Sequence, residues 1–273
     1  MSSQGHHVTS VLLNNSSRPK TGDVIARVPY LNSAPFFREL TLGERYELVD
    51  CAPRALGQRA AAGEIVAGLL PLVDYFRLED RFERLGPFGI AVRGRARSVL
   101  LFSRKPIRQL DGATIAVTEE TSTSAVLLRL LLEQRYEIRP SVYRRGQDLA
   151  GDALLLIGDE ALRFQQVNTQ YPYEIDVAFE WWLWQHAPCV FAVWAIRKDA
   201  GAEERKHFET ALSKSLGLNT RQLDLIAKER SADLGVAPDV LQTYLTRFIY
   251  RLSQPEEEGI TRLRMLIDEH HLL

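Results

Sequence analysis

From residue 23 onward, short apolar runs alternate with segments whose apolar residues recur at helical spacing. Val24, Ile25 and Val28 read as a strand. Asn32 and Ser33, helix-capping residue types, and Pro35 at an early helical position then turn it into a helix start. A second strand is predicted over 46–49, a helix from Pro53 to Ala62 stopped by Gly63, a buried strand over 65–70 and a helix over 71–76. This β-α-β-α rhythm is that of a parallel sheet with helices packed on it. Strands over 88–92 and 98–103 follow. Lys105-Pro106 and Leu110-Asp111-Gly112 read as a crossover, after which the pattern restarts with a strand over 114–118, a helix over 125–134, a short strand after 136–143 and a fully apolar strand over 153–157. A helix begins at Gly158-Asp159, and a strand over 190–196 returns to the first unit. The remainder is predicted as four helices, 203–216, 220–234, 238–246 and 255–270, covering the first unit.

The fold class is therefore α/β with two lobes, each a mainly parallel sheet flanked by helices, and a cleft between them. Residues 23–104 and 190–273 form a discontinuous first lobe, 105–189 the second, and 1–22 a polar tail expected to be disordered. Loops at strand C-termini facing one another suit a small ligand.

Composition narrows the chemistry. The 273 residues are 45% hydrophobic and 25% charged, enough for a sizeable core without staples. A net charge of −1 gives no global field for nucleic acid. No apolar run spans a bilayer, and the polar start with its short Val11-Leu12-Leu13 lacks a signal-peptide core, so a cytoplasmic location is expected. Cys51 and Cys189 show no metal or redox spacing and are expected as reduced thiols, and His6 and His7 as inert tail residues. No cofactor, metal, nucleic-acid or membrane partner is expected. Oligomeric state is left open, a homodimer being one arrangement the sequence allows.

Among individual residues, the junction at Asn32-Ser33 could present free N–H groups to an anion, although its chemistry alone favours an ordinary strand-to-helix turn. Thr121, Ser122, Thr123 and Ser124 are four consecutive hydroxyl residues at a helix start, where one suffices as a cap, and the surplus favours ligand contact. Asp159 reads most simply as an N-cap. Arg93, Arg95 and Arg97 could hold a carboxylate or form a solvated turn. The aromatic run 179–184 reads as core with a Trp near a rim, and the nearby His186 could act as a general base at neutral pH but is not expected to. Gly-rich phosphate loops, dinucleotide fingerprints and nucleophile elbows are missing.

Four stretches in order carry a family resemblance: Tyr30-Leu31-Asn32-Ser33-Ala34-Pro35, the strand 98–103, Leu156-Ile157-Gly158-Asp159-Glu160-Ala161-Leu162, and the strand 190–195. Together they resemble the chorismate dehydratase family of the futalosine route to menaquinone, whose fold is similar to periplasmic binding proteins of the second type. The resemblance implies a carbon–oxygen lyase that acts on a small dicarboxylate without a cofactor. It implies Asn32 as the catalytic residue and Ser33, Ser98, Thr121, Ser122, Thr123, Ser124, Gly158 and Asp159 as substrate contacts. The loop Glu119-Glu120-Thr121-Ser122-Thr123-Ser124 departs from the family in lacking a basic residue, which leaves the carboxylate anchor open, with Arg93, Arg95 or Arg97 as substitutes. Two alternatives stay open: a related lyase on cyclic dehypoxanthine futalosine, and a non-enzymatic small-anion-binding protein.

Overall fold

The architecture is described from a computed structural model that covers residues 24–146 and 150–273; the tail expected over 1–22 lies outside the described residues. A six-stranded sheet has the order β11-β4-β10-β3-β1-β2, formed by β1 (Val24–Arg27), β2 (Glu47–Asp50), β3 (Ala67–Pro71), β4 (Phe82–Val92), β10 (Cys189–Arg197) and β11 (Phe248–Arg251). A five-stranded sheet has the order β7-β6-β8-β5-β9, formed by β5 (Val99–Ser103), β6 (Thr114–Val117), β7 (Val142–Arg145), β8 (Ala153–Ile157) and β9 (Tyr173–Asp176). The two-lobed α/β reading stands, but both sheets are mixed. In the first, β1 is parallel to β2 and β3, while β10 is antiparallel to β3 and β4, and β4 to β11. In the second, β6 is parallel to β7 and β8, while β5 is antiparallel to β8 and β9. Runs of apolar residues mark a strand as buried on both faces, and they carry no information about its direction.

The strand over 98–103, placed by the sequence reading in the first lobe, belongs to the second sheet as β5. The chain therefore crosses between the sheets at Arg93–Ser98, and Leu110–Gly112 is a turn inside the second unit. The segment 93–98 holds Gly94 at φ +90° and Arg97 at φ +66°. Asp176 anchors it, accepting the N–H groups of Ala96 at 3.3 Å and Arg97 at 2.8 Å. Asp176 also caps α6 (Val177–Gln185) by accepting the Phe179 N–H at 3.1 Å. A strand-flanked turn that looks like a hairpin in sequence is thus the connector between lobes. β11 was also missed, because its four residues sit between helical patterns and complete the sheet only by pairing with β4.

The helices follow the sequence periodicity closely. They are α1 (Ala34–Phe37), α2 (Pro53–Ala61), α3 (Leu72–Arg77), α4 (Thr123–Leu130), α5 (Gly158–Val167) and α6, then α7 (Ala202–Asn219), α8 (Leu223–Leu234), α9 (Pro238–Leu245) and α10 (Gln254–Glu269). α10 starts with a capping box between Ser253 and Glu256. Glu256 also receives the Arg93 guanidinium at 2.9 Å, which fixes the crossover to the C-terminal helix. In the first lobe the fully buried Phe36 ring packs edge-on against Trp194 at 5.9 Å and Tyr250 at 5.6 Å. This packing holds the Leu31–Phe37 segment rigidly on the sheet and so fixes where Asn32 emerges. Among the described residues, no helix is long and apolar enough to cross a membrane.

Candidate active site

Strand ends from both sheets converge on one cavity, whose empty space, including the part open to solvent, is about 540 Å³. The first lobe contributes Asn32 just after β1, Leu69 and Pro71 from β3, and Phe191 from β10. The second lobe contributes Ser98 and Val99 at the start of β5, Thr121, Ser122, Thr123 and Ser124 at the start of α4, and Gly158 after β8. The lining holds neutral polar groups on an apolar wall, with no Asp, Glu, Lys, Arg or His among the described residues. The strands of each sheet deliver these residues to one crevice because the loops all leave on the same side.

Asn32 sits in a three-residue turn, Leu31–Ser33, half-buried, and its carboxamide makes no hydrogen bond to another described residue. A cavity-lining amide whose donors and acceptor are not taken by other described residues is free to meet a ligand. Thr121 Oγ1 is likewise buried without a partner. Thr123 Oγ1 accepts the Val73 N–H at 3.2 Å, which joins the start of α4 to α3 across the cleft and still leaves the Thr123 hydroxyl a proton to donate. Ser98 Oγ accepts a hydrogen bond at 2.8 Å from the hydroxyl of Tyr244, fully buried on α9. That contact occupies one Ser98 lone pair and leaves its own O–H to be aimed elsewhere.

Two of the residues expected to touch a ligand do something else. Ser33 is buried, and its hydroxyl is turned back onto the carbonyl oxygens of Val28 and Tyr30, the latter at 2.8 Å, so it stabilises the turn that presents Asn32. Asp159 is not an N-cap: it lies inside α5, whose N-cap position is Ile157. Its Oδ1 accepts the Leu31 N–H at 2.8 Å and its Oδ2 the Arg230 guanidinium at 2.6 Å, which ties the second lobe to the first. The N–H group of the opening motif expected to attract an anion is therefore taken in part by the protein's own carboxylate. Burial pushes the Asp159 carboxyl up, opposed by the Leu31 N–H and then by Arg230.

A second tie lies beside it. The Tyr30 hydroxyl donates to Glu120, and burial followed by that carboxylate pushes the phenol far up, so it remains a donor. The Arg54 N–H donates to the Glu120 carbonyl at 3.0 Å. Tyr30 lines the cavity and packs over Gly158, and neither it nor Phe191 was singled out as a site residue. Both stand inside the four stretches quoted above, which was the available signal.

The three crossover arginines are not ligand anchors. Arg93 is spent on Glu256, Arg95 stacks over the Phe179 ring at 4.0 Å, and none of the three lines the cavity. His186 closes α6 in a left-handed conformation at φ 53°, exposed and outside the cavity. Of the aromatic run, Trp181 is buried core and donates its indole N–H to the Pro188 carbonyl at 3.3 Å.

Comparison with known proteins places this arrangement. The chain is 33% identical over 252 residues to the chorismate dehydratase of Thermus thermophilus, with 85% of this chain and 90% of that protein covered. Among solved structures it resembles protein AF1704 of Archaeoglobus fulgidus, with a TM-score of 0.76, 19% identity and coverage of 93% of this chain and 99% of that one. It also resembles the alkanesulfonate-binding protein SsuA of Xanthomonas axonopodis pv. citri bound to MOPS, with a TM-score of 0.64, 16% identity and 92% of both chains covered. These two likenesses establish the periplasmic-binding-protein fold alone. The sequence profile of the menaquinone biosynthesis family matches residues 24–269, nearly the whole described chain, and the protein belongs to that family.

Proposed function

We propose that the protein is a chorismate dehydratase, a hydro-lyase that converts chorismate to 3-[(1-carboxyvinyl)oxy]benzoate and water in menaquinone biosynthesis. The observation that carries this reading is the single uncharged cavity lined by Asn32, Ser98 and the Thr121–Ser124 hydroxyls, in a chain this close to a chorismate dehydratase.

The chemistry needs little from protein acids or bases. One ring C–H bond and the neighbouring C–OH bond break, the proton and hydroxide leave as water, and the ring becomes aromatic. A doubly negative substrate held among neutral donors keeps its carboxylates ionised. Its own side-chain carboxylate is then the base nearest the ring proton, and proximity supplies much of the rate. Asn32, free of protein partners, would orient that carboxylate or the departing hydroxyl. The hydroxyls of Ser98, Ser122, Thr123 and Ser124 would hold the ring carboxylate. The Tyr30–Glu120 and Asp159–Leu31 ties would keep the lobes together and water out while this happens.

Purified protein mixed with chorismate should release the aromatic product in step with chorismate loss. Chorismate left unchanged by folded protein would end this reading. Tyr244→Phe tests the positioning of Ser98. Removing a buried hydrogen-bond donor costs about 1 kcal/mol, so KM should rise about fivefold while the turnover number moves less. An unchanged KM would mean that Tyr244 has no part in holding Ser98.

A further inference from the structure

Behind the hydroxyl loop lies a second cavity of about 850 Å³, which shares Thr121 and Ser122 with the first as a common wall. Its rim carries three guanidinium groups, Arg54 from α2, Arg77 from α3 and Arg145 from the end of β7, and one carboxylate, Asp74. The partners of these groups are uneven. Arg77 is paired with Asp74 at 2.9 Å. Arg145 donates to the Thr121 carbonyl at 2.9 Å and forms no ion pair with another described residue. The Arg54 guanidinium lines the cavity and has no hydrogen bond or ion pair among the described residues. Asp74 and Thr121, which line this cavity, each carry a buried oxygen with no hydrogen-bond partner within reach among the described residues, Oδ2 and Oγ1, and are 8% and 1% exposed. Burial, and then the like charges of Arg54 and Arg77, push the Arg145 guanidinium down. Among the described residues, three cations are thus held around a concave space against a single anion.

We propose that this cavity is a phosphate-binding site, separate from the cavity that holds Asn32, in which Arg54 and Arg145 take the phosphate oxygens and Thr121 donates its unspent hydroxyl. After Asp74 has neutralised one guanidinium, the remaining double positive charge matches a phosphate group of about −1.5 to −2. Guanidinium forks suit its oxygens bidentately. A phosphate there would relieve the repulsion between Arg54 and Arg145 and satisfy Thr121 Oγ1. It would also stiffen the wall that the two cavities share, so occupancy should lower the KM of the neighbouring site by preorganising the loop. That last consequence rests on the chorismate reading; the binding itself does not.

Inorganic phosphate titrated calorimetrically into the whole protein at constant ionic strength is the test. One saturable site is expected, weakened about tenfold by Arg54→Ala and by Arg145→Ala, each of which removes a charge-assisted contact, and unaffected by Asn32→Ala. The thermal midpoints of the ligand-free variants are expected to match that of the parent, which separates lost binding from lost fold. Absence of saturable binding, or binding by both arginine variants as tight as that of the parent, would overturn the site. Loss of binding in Asn32→Ala alone would place phosphate in the first cavity and overturn it too, and tighter binding of malonate than of phosphate would overturn the assignment to phosphate. If phosphate binds as described while chorismate is not consumed, this site stands and the dehydratase reading falls.

Discussion

Asn32→Ala is expected to abolish chorismate turnover while the protein stays folded. The carboxamide is half-buried in the cavity and bonded to no other described residue, so its removal leaves no protein group unsatisfied. The turn that carries it is held by other groups: the Ser33 hydroxyl on the Tyr30 carbonyl, Asp159 on the Leu31 N–H, and Phe36 in the aromatic core. Losing one preorganised donor aimed at developing charge typically costs about 100- to 1,000-fold in rate. The loss should be at the upper end here, because the lining offers no charged group to take over. Asn32→Asp should be as inactive, since it sets a carboxylate against a dianionic substrate. Steady-state product formation together with a thermal melt decides the matter. Full activity in Asn32→Ala would remove the central role assigned to it.

Gly158→Ala should damage both stability and the site. Gly158 has φ +57°, where a side chain is strained, and a Cβ there would lie 2.6 Å from the Tyr30 ring. The ring has no easy retreat, because its hydroxyl is tied to Glu120. Nor does the backbone, since the Gly158 N–H donates to the Ser98 carbonyl at 2.7 Å. Left-handed strain and overpacking together amount to about 2–5 kcal/mol, a fall in thermal midpoint of about 5–15 °C. Gly235→Ala is the comparison. Its φ is +65°, but nothing lies within 4 Å of its Cβ, so strain alone should cost about 1 kcal/mol. Equal melting of the two variants would show that the Tyr30–Gly158 contact imposes no constraint.

The arrangement has a consequence for how the lobes close. In the described structure the first lobe already touches the second through Val73 to Thr123, Arg54 to Glu120, Tyr30 to Glu120 and Leu31 to Asp159. Each of these contacts joins a loop that also lines the cavity or lies directly behind it. A ligand that orders Thr121–Ser124 therefore strengthens the same contacts that shut out water, and binding and closure become one equilibrium.

Much of the site was legible because its parts are local. A hydroxyl run ahead of an apolar helix can be recognised without knowing its neighbours, whereas Asn32, Ser98 and Gly158 were singled out only through the family resemblance. Asn32, Ser98, Thr121, Ser122, Thr123, Ser124 and Gly158 do meet in one cavity. What failed was direction. Ser33 and Asp159 are polar residues beside the right turns, yet one folds back on its own carbonyls and the other reaches the opposite lobe. A side chain's bearing is set by the backbone around it and by partners as distant in sequence as Arg230.

The sequence by itself determined most of the strands and helices, the two-lobed plan and the neutral character of the candidate chemistry, though not β9, α6 or β11, because apolar periodicity and capping residues act over a few residues and are written contiguously. Tertiary structure alone decided that β5 pairs with β8 and β9, that β10 runs antiparallel to β3, that the crossover arginines are consumed by Glu256 and Phe179, and that Arg54, Arg77 and Arg145 gather behind the hydroxyl loop. Strand direction and charge pairing depend on which distant segments come together, and that is settled by burial of the whole core rather than by any stretch of it.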